Sequence, residues 1–174
     1  DLDVDFEKKY IYGVARHTME NKGSDTAVFD IKGLEIQKVT LGEKGHEQNT
    51  SYVIGIEDSI LGAPLSVRID KNSTLINIYY KTTEDSDAID WLSPELTKGK
   101  KHPYLYTQGQ AILTRTWIPS QDSPSNRITY SADVTVPKEL MALMSAKNPV
   151  VKNDSGKYHF EMNQPIPVYL IALA

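Results

Sequence analysis

The segment YTQGQAI, residues 106–112, carries two neutral amide side chains, Gln108 and Gln110, on either side of one glycine. In a strand the two glutamines would share one face, because side chains alternate between faces. An amide accepts a hydrogen bond from an ammonium group and also donates one to a carbonyl. Gly109 between them would let a neighbouring backbone approach closely. The pattern indicates either a polar ligand-binding pair or two amides that satisfy backbone groups of a loop.

No histidine pair has the spacing of a zinc-binding helix, in which the two ligands lie at i and i+4. The string that starts at His46 resembles HExxH, but Thr50 stands where the second histidine is needed. The other histidines are His17, His102 and His159. A solvated turn is therefore the favoured interpretation of the segment around His46, although distant histidines could still converge in space.

The acidic segment DSDAIDWL carries Asp85, Asp87 and Asp90. A calcium loop needs regularly spaced oxygen ligands and a glycine turn, and Ala88 and Ile89 interrupt the series here. We interpret the segment as a solvated loop anchored by Trp91. No G-x-S-x-G elbow occurs either. The sequence thus predicts no catalytic residue and no metal bound by this chain.

Composition excludes several classes of protein. The chain has 174 residues, a net charge of −4 and no cysteine. A nucleic-acid partner is disfavoured by the charge, and disulfides and thiolate catalysis are excluded. No apolar run approaches the roughly 18 residues of a membrane span, so no membrane partner is expected. No signal-peptide pattern is present, and we expect a cytoplasmic protein, although the lack of cysteine does not fix the compartment.

The elements that position these residues have a hydrophobic period of two almost throughout, which is typical of strands. The clearest runs are ITYSADVTV (128–136) and LSVRI (65–69); further strands are predicted at 10–19, 27–41, 52–56, 75–80 and 158–162. Gly33 is expected to break the long run. A short helix or a single turn is predicted after Pro137, and one helical turn after Pro94. The fold class is all-β.

Both ends of the sequence resemble the interior of a fold. The chain opens on DLDVDF, already alternating, and closes on the apolar run IPVYLIALA. Domain boundaries normally lie in polar linkers. We therefore expect residues 1–174 to form a single β domain cut from a longer polypeptide.

Residues 100–146, KKHPYLYTQGQAILTRTWIPSQDSPSNRITYSADVTVPKELMALMSA, closely resemble the amino-terminal domain of a zinc aminopeptidase family. This gluzincin group includes leukotriene A4 hydrolase and aminopeptidase B. The upstream AIDWLSPELTKGK and the downstream QPIPVYLIALA also match the group. The resemblance covers the whole chain and is strongest from about residue 88.

The resemblance implies a saddle-shaped β domain of mixed sheets, followed by a catalytic domain after Ala174. Zinc, the HExxH motif and the general base would belong to that second domain, so this chain alone would bind no zinc and would not be an enzyme. Gln110 matches the family position that helps to hold the free amino terminus of a peptide substrate. Gln108 matches its partner in the same cleft, with Gly109 between them.

Two further segments are interpreted as structural. HTMEN (17–21) resembles the family's G-x-M-E-N motif, but it lies where a strand runs into a polar turn, so we read the match as chance. In IPSQDSPSNR, Asp122 is expected to accept from backbone donors in an Asx-type turn. Arg127 is expected to close that turn electrostatically.

Alternatives remain at this point. The chain could be a free-standing β-sandwich binding or adhesion module, or its parent could also hydrolyse a lipid epoxide. If a catalytic domain covers part of the chain, its separation should expose an apolar patch and favour self-association. The expected members of that patch are Tyr104, Tyr106, Ile166 and Tyr169.

Overall fold

The computed structural model describes all residues from Asp1 to Ala174 and consists of strands joined by loops and short 3-10 turns. The strands are β1 (Leu2–Asp5), β2 (Tyr10–Thr18), β3 (Thr26–Ile31), β4 (Leu34–Leu41), β5 (Gln48–Asn49), β6 (Tyr52–Ile54), β7 (Ala63–Arg68), β8 (Leu75–Thr82), β9 (Ile89–Leu92), β10 (Tyr104–Thr107), β11 (Arg127–Thr135) and β12 (Lys157–Pro167). The 3-10 turns are Pro94–Leu96, Thr114–Thr116 and Val168–Leu170. None of these helical turns is long and apolar enough to cross a membrane. The predicted all-β class is confirmed.

The largest sheet has seven strands in the order β12-β11-β1-β2-β8-β4-β5. Its strand β1 pairs parallel with β11 and antiparallel with β2, so the sheet is mixed. Two smaller antiparallel sheets accompany it, one of β3-β7-β6 and one of β9-β10. Gly33, with φ of +63°, lies between β3 and β4 and sends them into different sheets, as the predicted break requires.

The apolar faces of the sheets form two separate cores. The first core contains 15 buried residues, among them Leu2, Ile11, Trp117, Val134 and Phe160. The second core contains 11 buried residues, among them Phe29, Leu65, Ile76, Ile78 and Tyr80. The alternating sequence patterns account for both, because every second residue of a strand faces the same side.

The segment after Pro137 forms one turn and no helix. Leu140 N donates to Pro137 O at 2.8 Å, which confirms the single turn. The chain beyond is extended, since Ala142 and Met144 are buried while Leu143 between them is exposed. Leu143 exchanges two backbone hydrogen bonds with Ala174. The helix alternative is therefore wrong, because pairing with the apolar end of the chain satisfies this backbone instead.

The cationic partner of Asp122 is the buried Arg115, and not Arg127 as the sequence suggested. Asp122 Oδ2 accepts from Arg115 N at 3.0 Å and from its Nε at 3.2 Å, and Asp122 O accepts from Nη2 at 2.6 Å. Arg127 is exposed, and its nearest acceptor is Pro165 O at 3.5 Å. Asp122 does accept from a backbone donor as expected, but the predicted role of Arg127 is wrong.

Arg115 also joins distant parts of the chain. Its Nη1 donates to Leu61 O at 2.6 Å, and its Nη2 lies 3.7 Å from Asp30 Oδ2 in β3. Asp30 Oδ2 in turn accepts from Asp122 N at 2.9 Å. Burial raises the pKa of Asp122, and its hydrogen bonds to Arg115 oppose that rise. The carboxylate therefore depends on this one partner for its charge.

We expect Arg115→Met to lower the free energy of unfolding by about 3–5 kcal/mol, because it leaves the Asp122 carboxylate buried without its cation. Urea denaturation followed by circular dichroism measures the loss. Arg127→Met, the same substitution at an exposed arginine, should stay within about 0.5 kcal/mol of the parent chain. Equal losses for the two variants would contradict the role given to Arg115.

Candidate functional site

The two glutamines lie directly after β10 rather than within a strand. β10 ends at Thr107, and Gln108 and Gly109 follow as irregular chain. The alternation nevertheless continues past the strand end: Tyr104, Tyr106, Gln108 and Gln110 are exposed, while Leu105, Thr107 and Gly109 are buried. The glutamines thus lie beyond the end of the strand, and both are on the exposed side of the chain.

The amide groups on this face have few partners within the domain. Gln108 Oε1 accepts from Gln110 N at 3.1 Å. No other hydrogen bond involves either side-chain amide. One of the four amide heavy atoms thus satisfies loop backbone, and the other three remain free to bind a ligand.

Gly109 is buried between two neighbouring segments. A methyl group at this position would lie 2.7 Å from Tyr169 O and 2.8 Å from Thr114 Oγ1. Contacts this short are inaccessible to a β-carbon, so only glycine lets the loop approach the Val168–Leu170 turn so closely. The predicted close approach of a backbone is present.

Backbone hydrogen bonds hold both sides of the loop. Gln108 N donates to Ala88 O at 2.8 Å, and Leu113 N donates to Gly109 O at 2.8 Å. Thr107 N donates to Leu173 O at 2.9 Å. The exposed amides therefore project from a backbone that is fixed at three points.

Buried threonines beneath the loop were not identified from the sequence. Thr116 Oγ1 accepts from Ala88 N at 3.1 Å, and Thr114 Oγ1 donates to Val168 O at 3.3 Å. Both threonines are 0% exposed. The signal available in the sequence was the polar triplet TRT (114–116) between apolar IL and WI, which is unusual for a buried segment unless its polar groups are paired.

Two tyrosines extend the exposed face. The rings of Tyr104 and Tyr106 stack with centroids 6.1 Å apart. A hydrogen bond to Asp90 raises the pKa of Tyr106. The other two residues of the expected apolar patch, Ile166 and Tyr169, are half-buried. Only the tyrosine part of the patch is thus openly exposed.

The residues considered as metal ligands do not form a cluster in the structure. No group of three or more His, Cys, Asp or Glu side chains could hold a metal ion. Asp87 pairs with Lys32 at 2.8 Å. His46 is an exposed residue in the loop before β5.

The segment HTMEN leads from a strand into a turn. β2 ends at Thr18, and the Asn21 amide donates to Ser24 O and to Asp70 O. His17 Nε2 lies 2.9 Å from Pro119 O, and its ring packs on Phe29 at 4.5 Å. The structural interpretation of this segment is confirmed.

Comparison with known proteins decides the family. Residues 1–170 match the Peptidase M1 N-terminal domain. The chain belongs to the M1 peptidase family. The resemblance to the leukotriene A4 hydrolase and aminopeptidase B group is thereby confirmed.

The relatives share most of this M1 N-terminal domain. Leukotriene A-4 hydrolase of Xenopus laevis is 39% identical over 99% of the chain and 30% of its own length. Leucine aminopeptidase 2 of Yarrowia lipolytica is 36% identical over 99% of the chain and 26% of its own length. The chain thus spans under a third of either relative.

Solved structures show the same fold. Leukotriene A4 hydrolase of Saccharomyces cerevisiae superposes with a TM-score of 0.84 at 31% identity, over 99% of this chain and 27% of that one. An M1 zinc metallopeptidase of Deinococcus radiodurans superposes with a TM-score of 0.70 at 19% identity, over 94% of this chain and 37% of that one. The second likeness shows the fold alone.

In this M1 N-terminal domain, Gly109→Ala should displace the glutamine loop, because the added methyl meets a backbone carbonyl that cannot move freely. We expect a loss of about 1–3 kcal/mol in the free energy of unfolding. The NMR resonances of Gln108 and Thr114 should shift with it. Gly99→Ala is the control for the resonances alone: its added methyl meets no atom within 4 Å, so it should leave them in place, although its φ of +85° makes alanine unfavourable there and should lower stability. Unchanged resonances in both variants would contradict the close approach.

His17 makes the stability of the domain depend on pH. Burial lowers its pKa from 6.5 to about 4, so the unfolded chain binds a proton more readily than the folded one between these values. Stability should therefore fall as the pH is lowered from 6.5 towards about 4. His17→Gln, which keeps a donor for Pro119 O, should flatten that part of the profile. Urea midpoints across this range test it, and identical slopes for both proteins would contradict the assignment.

Proposed function

We propose that this M1 N-terminal domain forms one wall of the substrate cleft of a zinc aminopeptidase. In this proposal the parent removes amino-terminal residues from peptides, and residues outside this chain hold the zinc and carry the catalytic groups. Membership of the M1 peptidase family supports it, and so does a relative that is a leucine aminopeptidase. Bound zinc would supply an activated water as the nucleophile.

One observation carries the proposal: the Gln110 amide is exposed and has no partner in the chain, although its backbone is fixed. The Gln110 amide contributes no hydrogen bond to the fold, so both of its polar atoms are available to a ligand. Gln110 Oε1 is an acceptor for the ammonium group at the amino terminus of a peptide, and its Nε2 is a donor for a peptide carbonyl. The fixed backbone reduces the conformational entropy that binding has to remove.

Gln108 takes a supporting role in the same proposal. Its Oε1 already accepts from Gln110 N, so only its Nε2 remains for a ligand. The bond also holds Gln108 over the backbone of Gln110. Gln108 therefore orients the loop and contributes at most donors to the substrate.

The exposed tyrosines are suited to contact another protein surface. Tyr104 and Tyr106 lie on the same face as the glutamines and present stacked rings to solvent. Tyrosine suits contacts that are apolar on the ring and polar at the hydroxyl. We assign this face to contact with the catalytic domain of the parent. Self-association of the isolated chain through the same face stays a prediction.

In the full-length enzyme, Gln110→Ala should lower kcat/KM for peptide substrates by roughly 1–3 kcal/mol, because one hydrogen bond to a charged group is lost. Zinc content and the thermal midpoint should not change. Gln108→Ala should cost less, since half of its amide is already engaged within the loop. Steady-state kinetics with aminoacyl and dipeptide substrates measure both effects.

Gln48→Ala is the matched control, because Gln48 is an exposed glutamine of the edge strand β5 whose side chain has no hydrogen bond. It should leave kcat/KM unchanged. The proposal fails if Gln110→Ala lowers the thermal midpoint and leaves kcat/KM unchanged in the protein that stays folded.

A further inference from the structure

Strand β6 is the outer strand of the small sheet β3-β7-β6, and no strand pairs with its other side. Its partner β7 binds every second peptide group of β6, as where Gly55 N donates to Pro64 O at 2.9 Å. The directions of the peptide groups alternate along a strand. Tyr52 and Ile54 therefore direct their N–H and C=O groups away from β7, to the free side of the sheet.

This edge lacks the charged side chains and the proline that commonly protect edge strands. The segment SYVIGI, residues 51–56, carries no charge and no proline. Val53 is 68% exposed and Ile56 is 95% exposed, so the domain itself does not cover them. An exposed edge of this composition is suited to pair with an added strand.

A cavity of about 440 Å³ lies on the core-facing side of the sheet, next to this edge. Ile54 pairs with the buried Leu65, so its side chain lies on the core-facing side, where it lines the cavity. The other apolar lining residues are Ile31, Leu34 and Ala63. Paired residues of neighbouring strands share one face. A strand added to the edge would therefore place the side chain opposite Ile54 at the cavity.

The polar lining of the cavity is acidic. Glu57, Asp85 and Asp87 contribute carboxylates, against the single cation of Lys32. Lys32 Nζ lies 2.8 Å from Asp87 Oδ2, whereas Glu57 and Asp85 form no salt bridge. Two negative charges at the cavity thus have no cationic partner.

We propose that β6 is a docking edge for an extended, basic segment of a separate polypeptide. The segment adds a strand to β6 through main-chain hydrogen bonds with Tyr52 and Ile54, and its residue opposite Ile54 is lysine or arginine. The aliphatic part of that side chain packs on the apolar lining, and its charge reaches Glu57 and Asp85. Main-chain bonds supply the affinity of such strand addition, and the cavity supplies the specificity.

Charge distinguishes this partner from a second copy of the chain. The segment 51–56 is uncharged, so a second β6 would bring no cation to Glu57 and Asp85. The partner would then remove water from both carboxylates without supplying a counter-charge, which is unfavourable. A basic segment supplies charge-assisted hydrogen bonds instead.

Two peptides of equal length test the edge in the 174-residue chain. Acetyl-Val-Thr-Lys-Thr-Val-amide carries lysine at the centre, and acetyl-Val-Thr-Glu-Thr-Val-amide is its charge-reversed control. We expect the lysine peptide, at saturation, to slow hydrogen exchange of the Tyr52 and Ile54 amides at least about fivefold. The Gly55 amide already donates to Pro64 O and should not change. The glutamate peptide should bind at least about tenfold more weakly, because it brings like charges together.

Fluorescence anisotropy of the labelled lysine peptide tests the cavity in the full-length protein. The acetyl group removes the free amino terminus that the proposed aminopeptidase needs, so this binding does not depend on the proposed function. Glu57→Gln combined with Asp85→Asn should weaken binding at least about threefold, because two charge contacts are lost. Glu84→Gln is the matched control, since Glu84 is exposed nearby but does not line the cavity, and it should leave binding unchanged.

Unchanged exchange at Tyr52 and Ile54 with the lysine peptide at millimolar concentration would overturn the docking edge. Protection of these amides that rises with protein concentration and needs no peptide would assign the edge to a second copy, against the proposal. Equal binding of the two peptides would overturn the basic specificity. Binding to the 174-residue chain but not to the full-length protein would show that the parent itself covers β6, and would overturn the separate partner.

Discussion

The arrangement of this domain depends on one buried cation. Arg115 has five N–H donors and cannot lose its charge, so its burial requires acceptors in fixed directions. Asp122, Leu61 O and Asp30 supply them, and they come from three separate segments of the chain. The small sheet that contains β3, the loop before β7 and the loop after Trp117 are therefore held in one relative position. Neutral side chains would not impose that restriction, because apolar packing is less directional.

Arg115 also affects the position of the exposed glutamines, because its neighbours Thr114 and Thr116 bond to the segments that support them. Thr114 bonds to the Val168–Leu170 turn, and Thr116 accepts from Ala88 N. Ala88 O in turn accepts from Gln108 N. A displacement of Arg115 would thus move both supports of the loop that carries Gln108 and Gln110. Buried polar groups that are hydrogen-bonded to one another in this way restrict the geometry of their segments, and the exposed loop takes its geometry from them.

The sequence predicted the parts of the fold that depend on local pattern. Strand β11 and strand β7 were visible because a period of two appears within a few residues. The partner of Asp122 was not visible, because Arg115 and Arg127 both lie near it in sequence, at seven and five residues, and only the tertiary fold decides which one is buried. The segment after Pro137 was ambiguous for a similar reason: Lys138-Glu139-Leu140 suits a helix locally, and pairing with Ala174 overrides it. No pattern in the sequence marked the division into two cores.

The proposed role of Gln110 requires that another part of the parent enzyme exclude water from its amide. In open water, an amide that meets an ammonium group only replaces a hydrogen bond to water, so the net free energy gained is small. The contact becomes selective when water is excluded and the effective dielectric constant falls. This domain cannot exclude water from Gln110 by itself, because the whole face from Tyr104 to Gln110 is open to solvent. Gln110 therefore contributes binding free energy only when a second protein surface covers the tyrosines and excludes water from the amide. The stacked rings of Tyr104 and Tyr106 lie beside the amide and are suited to contact that surface.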